Sequence, residues 1–213
     1  EASDMARIEQ IDSGHYRIEP VTKIADSMHG DILAFELNTV RIRDADGVEG
    51  VGYTFTVGRN GAAIAATLKT EMPGLLIGEE ADGIGRLWHK LWWALHYGGR
   101  GGAAVLALSA LDIALWDLKA RRARLPLWNL LGGFDPAVPC YAGGIDLQLS
   151  TDSLLAQTDR NLERGFRAIK MKVGRERLSD DVDRVRTMRE HLGADFPLMV
   201  DANMKWGVDE AIR

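Results

Sequence analysis

Lys170 and Lys172 stand two residues apart in the run Ala168-Ile169-Lys170-Met171-Lys172-Val173. In a strand, positions i and i+2 point to the same face, so the two ammonium groups share one side of the chain. Like charges crowded at low dielectric repel, and one lysine of such a pair then releases its proton more readily, which makes it a usable base. Asp201 closes the apolar run Leu198-Met199-Val200, with Asn203 two residues further on. A carboxylate at the C-terminal end of a strand sits where parallel α/β folds build their sites. Its oxygens suit a hard cation such as Mg2+. Taken singly, each feature has a plain structural explanation: lysines guard edge strands, and an aspartate after a strand caps the next helix or turn. Taken together, Lys172 and Asp201 occupy equivalent positions on consecutive strands and would face one cavity. A metal-binding carboxylate beside a lysine base is equipment for removing a proton α to a carboxylate, the cation holding the enediolate and the lysine taking the proton.

Other reactive side chains carry less. Gly98-Gly99-Arg100-Gly101-Gly102 lacks the Lys-Ser/Thr of a phosphate loop and follows no clear strand, so it reads as a connection. His89 and His96 have no carboxylate or cysteine neighbours in sequence, and packing explains them better than metal binding. Asp112 and Asp117 lie in an apolar helical run and need partners, locally or from arginines. The six tryptophans fall mostly on helix faces and read as core, and Cys140 reads as a small buried residue that nothing marks as reactive. His29, in an irregular stretch near Asp31, could cover a substrate or simply be solvated. A phosphoryl-accepting receiver built on Asp201 would want further acidic residues at another strand end, and residues 138–142 offer none.

The elements that must position these groups divide near Phe134. Residues 6–19 are interrupted by Asp12-Ser13-Gly14, which predicts a hairpin or a bent strand. Residues 21–31 have no clear period and read as a loop long enough to be functional. Leu33, Phe35 and Leu37 alternate with Ala34, Glu36 and Asn38, and Val40 and Ile42 continue on the other parity, which predicts a bulge or a strand buried on both faces. Asp44-Ala45-Asp46-Gly47 is a turn, and residues 48–56 return as the partner strand. Helices follow over 62–72, stopped by Pro73-Gly74, over 84–95, and over 103–120, the last apolar almost all round and so buried. A short helical turn over 125–131 ends at Gly132-Gly133.

Beyond Phe134 the rhythm becomes strand (138–142), helix capped by Thr151-Asp152-Ser153 and stopped by Gly165, strand (167–173), helix from Ser179-Asp180 with Val182, Val185, Met188 and Leu192 on one face, strand (198–201), and a helix from Val208. Strand starts roughly 30 residues apart imply parallel strands joined by right-handed crossovers. A (β/α)8 barrel needs eight such units over about 250 residues. Three units make either a small open sheet or a barrel cut after its third unit.

Composition narrows the class. The 213 residues are 46% hydrophobic and 27% charged, the balance of a globular protein. With 26 Lys+Arg against 31 Asp+Glu, the chain lacks the basic surface of a nucleic-acid binder. Its one cysteine excludes an intramolecular disulfide framework and fits a reducing cytoplasm. The greasy stretch 103–118 is short for a bilayer span and carries Asp112, and with no basic run ahead of an apolar core in the first residues a signal peptide is not expected.

The run Gly165-Phe166-Arg167-Ala168-Ile169-Lys170-Met171-Lys172-Val173-Gly174, followed by Pro197-Leu198-Met199-Val200-Asp201-Ala202-Asn203, resembles the enolase superfamily in its mandelate racemase/muconate lactonizing branch, whose signature is Lys-x-Lys then Asp-x-Asn on successive barrel strands. Ser109 to Asp117 and the stretch from Leu125-Pro126-Leu127 to Gly132-Gly133 are similar to that branch's last cap-domain helix and the lead-in to its barrel. The resemblance implies an α+β capping domain over 1–134, followed over 135–213 by the first three β/α units of a (β/α)8 (TIM-type) barrel, truncated. It implies Mg2+ as cofactor, Lys172 as catalytic base, Lys170 tuning it and contacting the substrate carboxylate, Asp201 as the first metal ligand, and Asn203 as a substrate contact. The capping-domain loops 21–31 and 53–60 would add His29 and Thr54 as substrate contacts. The remaining metal carboxylates and the opposite-face catalyst of the family lie on later strands, so the 213 residues by themselves are expected to be inactive, as the N-terminal part of a longer enzyme. Background residues such as Leu91-Trp92-Trp93 and Gly99-Arg100-Gly101-Gly102 look most like galactarate/talarate-type acid-sugar dehydratases. The expected activity is α-proton abstraction from a hydroxy-carboxylate followed by dehydration, with racemisation, epimerisation or cycloisomerisation as alternatives, in a cytoplasmic homo-oligomer acting on a small molecule rather than on nucleic acid or membrane. A non-catalytic half-barrel serving binding or assembly is the alternative from another class.

Overall fold

The computed structural model describes residues 6–212, which form two compact units: 6–19 with 34–136, and 20–33 with 137–212. In chain order the strands are β1 (Ile8–Ile18), β2 (Ile24–Asp26), β3 (Gly30–Ile32), β4 (Phe35–Asp44), β5 (Glu49–Thr56), β6 (Ala142–Gly143), β7 (Ile169–Lys172) and β8 (Leu198–Asp201). The helices are α1 (Gly61–Ala66), α2 (Met72–Leu76), α3 (Ile84–Leu95), α4 (Gly102–Arg122), α5 (Leu127–Leu130), α6 (Thr151–Glu163), α7 (Leu178–Leu192) and α8 (Val208–Ile212).

In the first unit β1, β4 and β5 form an antiparallel sheet with β4 in the middle. β1 runs straight through Asp12-Ser13-Gly14 rather than turning there, because every residue from Gln10 to Ile18 has a partner in β4. The parity change expected near Val40 is not a bulge. β4 keeps its register with β5 from Glu36 to Arg43, and the irregularity falls in β1, between Ile8 and Gln10. Instead the two faces of β4 differ. Asn38, Val40, Ile42 and Asp44 are buried, whereas Phe35 is only half-buried on the outer face, where it meets Phe55 edge-on at 6.2 Å.

α4 lies directly on β5. A Cβ at Gly52 would collide with the Ala110 carbonyl, and one at Gly50 with the Ala114 carbonyl, so only glycine admits this approach. Between sheet and helices sit Val40, Ile42, Leu68, Leu87, Leu91, Leu111 and Leu115, all fully buried, each burial contributing about 1.5–3 kcal/mol. The helix expected to stop at Pro73 continues past it. A π-helical turn, Thr67–Glu71, precedes α2, and Pro73 falls in the first turn of α2, where its missing N–H is not needed.

In the second unit β6, β7 and β8 are parallel, in that order. Strand 138–142 of the sequence reading shrinks to Ala142–Gly143, since pairing begins only at Ala142 opposite Ile169. Ile169, Met171 and Val173 pack with Leu154 of α6 and Met188 of α7 into the core of this unit. The cap of α6 is Ser150, one residue ahead of the expected trio, whose Oγ accepts the Ser153 amide at 3.2 Å. Gly165, at φ +94°, ends the turn after α6.

Two sequence expectations change here. On α7, Val182 is 44% exposed, and the buried face carries Asp181, Arg184 and Met188. Both charges are held by loop backbone: Asp181 accepts the amides of Gly174 and Arg175, and Arg184 donates to the carbonyls of Asp146 and Leu149. Residues 21–31 are not an irregular loop. β2 and β3 pair as a short hairpin, Ala25 bridges Asp146, and Ser27 Oγ donates to the Ala202 carbonyl at 2.6 Å.

Candidate active site

β7 and β8 run in register, with Lys170 opposite Met199 and Lys172 opposite Asp201. Odd residues of β7 enter the apolar core beneath the helices, so the even lysines stand on the other face. Lys172 Nζ donates to Asp201 Oδ2 at 2.8 Å and to Asn203 Oδ1 at 2.6 Å. Lys170 Nζ reaches the same Asp201 oxygen at 3.2 Å. The Lys172 side chain is 11% exposed and that of Asp201 29%, so the cluster is largely shielded yet open on one side.

The repulsion between the lysines is offset by the carboxylate they share. The Lys172 ammonium, then the Asn203 amide and, after the opposing effect of burial, Lys170 hold the Asp201 carboxyl well below the usual carboxylate range. The Tyr141 hydroxyl pushes Lys170 up; burial opposes it and Asp201 adds to it, so Lys170 stays charged. Its ammonium also lies 5.1 Å from the Tyr141 ring centroid. The turn that presents Asn203 is conformationally demanding, with Asn203 at φ +47° and Met204 at φ +63°. Such backbone in non-glycine residues is held only where the surroundings over-determine it.

Lys170, Lys172, Asp201 and Asn203 thus come together as the sequence suggested. His29 stands in the β2–β3 hairpin that Ser27 fastens beside Asp201, and its ring Nδ1 pairs with Asp26 at 2.8 Å rather than with the lysines. Burial works to raise Asp26, but the His29 amide, the His29 ring and the Met28 amide outweigh it and leave the carboxyl lowered. Thr54 belongs to the first unit, buried on the face of β5 that bears on α4. Asp146 escaped the sequence reading. It is buried, its Oδ1 accepts the Lys172 amide at 2.9 Å, and desolvation pushes its carboxyl up. Its only signal was an aspartate shortly after Gly143-Gly144.

Asp117 found its partners in Arg121 and the Val51 amide, whereas burial raises Asp112. His96 bonds the Trp93 carbonyl, and His89, itself exposed, meets the half-exposed Trp93 ring edge-on at 6.0 Å. Asp201 and Asn203 offer the hard oxygen donors a small divalent cation takes. No group of three or more acidic, histidine or cysteine side chains able to hold a metal occurs among the described residues, so these donors fit the cation in kind and supply only part of its shell. No helix among the described residues is long and apolar enough to cross a membrane.

The sequence matches two families, "Mandelate racemase / muconate lactonizing enzyme, N-terminal domain" over residues 15–132 and "Enolase C-terminal domain-like" over 153–213. A 3,6-anhydro-alpha-L-galactonate cycloisomerase of Streptomyces coelicolor is 59% identical over 206 residues, which are 97% of this chain and 57% of that protein. The structure superposes on a racemase from Streptomyces coelicolor A3(2) with bound magnesium at a TM-score of 0.94 and 59% identity, covering 97% of this chain and 58% of the other. It superposes on an L-talarate/galactarate dehydratase from Salmonella typhimurium, liganded with Mg and L-lyxarohydroxamate, at 0.93 and 36%, covering 99% and 55%. The chain therefore spans less than three fifths of the length of these relatives.

Proposed function

The chain belongs to the mandelate racemase/muconate lactonizing enzyme family, with its capping domain and part of its barrel, and on that premise we propose that it forms the N-terminal part of an enzyme that removes the α-proton of an acid-sugar carboxylate and then expels a β-hydroxyl as water. The observation that carries this reading is the convergence of Lys172 and Lys170 on one oxygen of Asp201, at the C-terminal ends of adjacent parallel strands. In its neutral amine form Lys172 Nζ has a lone pair with which to accept the proton. It is nearly buried, and its contacts with Asp201 and Asn203 fix where its nitrogen lies. Lys170 keeps its charge and binds the substrate carboxylate. Asp201 is the one carboxylate of the cluster able to hold Mg2+, and Asn203 contacts substrate. When bound, the cation would draw off the negative charge that develops on the substrate carboxylate. The other ligands and the second catalyst come from outside these 213 residues. The magnesium-bound relatives support the choice of cation.

A cycloisomerase or racemase shares the first step, and the 59% identity to a cycloisomerase favours that as the second reading. The test is α-deuterium incorporation by the full-length protein in heavy water with Mg2+, against galactarate, L-talarate and related acid sugars. Lys172→Ala is expected to abolish it. Incorporation that survives Lys172→Ala would remove Lys172 from the base role, and product analysis separates dehydration from cyclisation.

A further inference from the structure

β6 is only two residues long, and its pairing with β7 ends at Gly143 opposite Lys170. The amides of Ile169 and Val173 point toward β8, donating to the carbonyls of Pro197 and Asp201. The alternate amides, those of Lys170 and Lys172, therefore point toward β6. At Lys172 the strand that should receive that amide has already turned away. The carboxylate of Asp146 takes its place, with Oδ1 accepting the Lys172 amide at 2.9 Å. Asp146 is 2% exposed, so this is a dry contact that water does not replace.

Asp146 is itself fixed from three sides. Gln157 of α6 donates to its Oδ2 at 3.0 Å, Arg184 of α7 donates to its carbonyl at 3.2 Å, and Ala25 of the hairpin bridges its backbone. Arg175 and Arg184 hold the following loop through the carbonyls of Leu147 and Leu149. We propose that Asp146 is a positioning residue for Lys172, a side-chain substitute for the missing strand that sets the height of the lysine backbone and so the place of its ammonium against Asp201 and Asn203. The proposal rests on Lys172 being the base.

The experiment uses the full-length protein, the acid-sugar panel named above in heavy water with Mg2+, and the panel member that the wild type exchanges fastest. Asp146→Ala removes the acceptor, and the expected result is at least a tenfold fall in kcat for exchange with KM within threefold of wild type. Asp146→Asn keeps an oxygen for the amide and is expected to restore kcat to within threefold. Thr158→Ala, which removes a buried hydroxyl bonded to the Leu154 carbonyl, lowers stability without moving kcat and serves as the control for a merely structural loss. Should Asp146→Ala not fold, Gly144→Ala carries the test. Its new Cβ would stand 2.8 Å from Asp146 Oδ2 and 2.7 Å from Gln157 Nε2, forcing the carboxylate aside, and kcat is expected to fall severalfold. If Lys172→Ala is inactive but Asp146→Ala, or in its absence Gly144→Ala, keeps kcat within twofold of wild type, the positioning role is overturned while the base assignment stands. Asp146→Asn as impaired as Asp146→Ala overturns it equally. Full exchange by Lys172→Ala, or none by wild type on the whole panel, overturns the underlying reading and this one with it.

Discussion

Replacing Asp44 with alanine is expected to destabilise the first unit by about 3–5 kcal/mol, the range for breaking one side of a buried ion pair. The Asp44 side chain is 0% exposed. Its Oδ2 accepts Arg122 Nη1 at 2.6 Å, and its Oδ1 accepts the amides of Asp46 and Val48 at 3.0 and 2.9 Å. One carboxylate therefore shapes the β4–β5 turn and ties it to the last turn of α4. Alanine leaves Arg122 with Asp46, an exposed partner at 2.8 Å, which places the loss toward the lower end of that range. Asp44→Asn keeps an oxygen for the two amides and forfeits the charge, for about 1.5–3 kcal/mol. Urea unfolding followed by tryptophan fluorescence is the assay, because Trp88, Trp92, Trp93, Trp116 and Trp128 all lie in the first unit and only Trp206 in the second. With an m-value of about 2 kcal/mol/M, the alanine midpoint should fall by about 1.5 M or more. A fall equivalent to under about 1 kcal/mol, or an Asn variant no better than Ala, would refute the claim that this carboxylate is a buried organiser.

Three further outcomes are expected. Lys90, then Arg86, hold Glu79 down to about 2 from its ordinary 4.5, so its contribution to stability is full above that ordinary value and lost as pH falls toward 2; acid titration of Glu79→Gln by circular dichroism should show a shallower decline across that window. Gly52→Ala drives a Cβ into the Ala110 carbonyl and should lower stability by about 1–3 kcal/mol or prevent folding, whereas Ala at Gly74, where a Cβ meets nothing, should fold normally in the same thermal melt. Because the described residues hold no cluster of three metal-ligating side chains, millimolar Mg2+ should leave the melting temperature of the 213-residue chain unchanged, while chelation should abolish deuterium exchange by the full-length protein.

Much of the site was legible because its geometry is local. Lys170 and Lys172 share a face by strand periodicity alone, and Asp201 with Asn203 follows from the next strand in a parallel register. The alternation of strands and helices after Phe134 implied parallel strands, which bring equivalent strand ends side by side. What the sequence hid depends on partners far along the chain. Gly14 looks like a turn until β4 offers its residues an unbroken ladder. Arg184, which no sequence motif singles out, is buried on α7 because the carbonyls of Asp146 and Leu149 close on it. Asp146 left only the weak trace of an aspartate shortly after Gly143-Gly144, because its contact with the Lys172 amide arises where β6 has already stopped. Val182 misled in the opposite sense: it lies on the apolar helical stripe, yet Asp181 beside it took the buried position through the Gly174 and Arg175 amides.

The chain leaves the first unit after Glu19 to form the β2–β3 hairpin and returns at Ala34, next to the paired Ile18 and Phe35. The hairpin's bond from Ser27 to Ala202 spans 175 positions. Closing a loop of that length costs about 2.5 kcal/mol more entropy than closing one of ten residues. On the ribosome the hairpin would emerge early and wait for β8 to be synthesised, so the second unit should be slow to consolidate and vulnerable to proteolysis in the interval. The same connectivity tells the protein engineer that cutting at Ala137 does not liberate a self-sufficient module. A permuted chain that joins residues 20–33 directly to the later strands would be the shorter route to an independently folding piece.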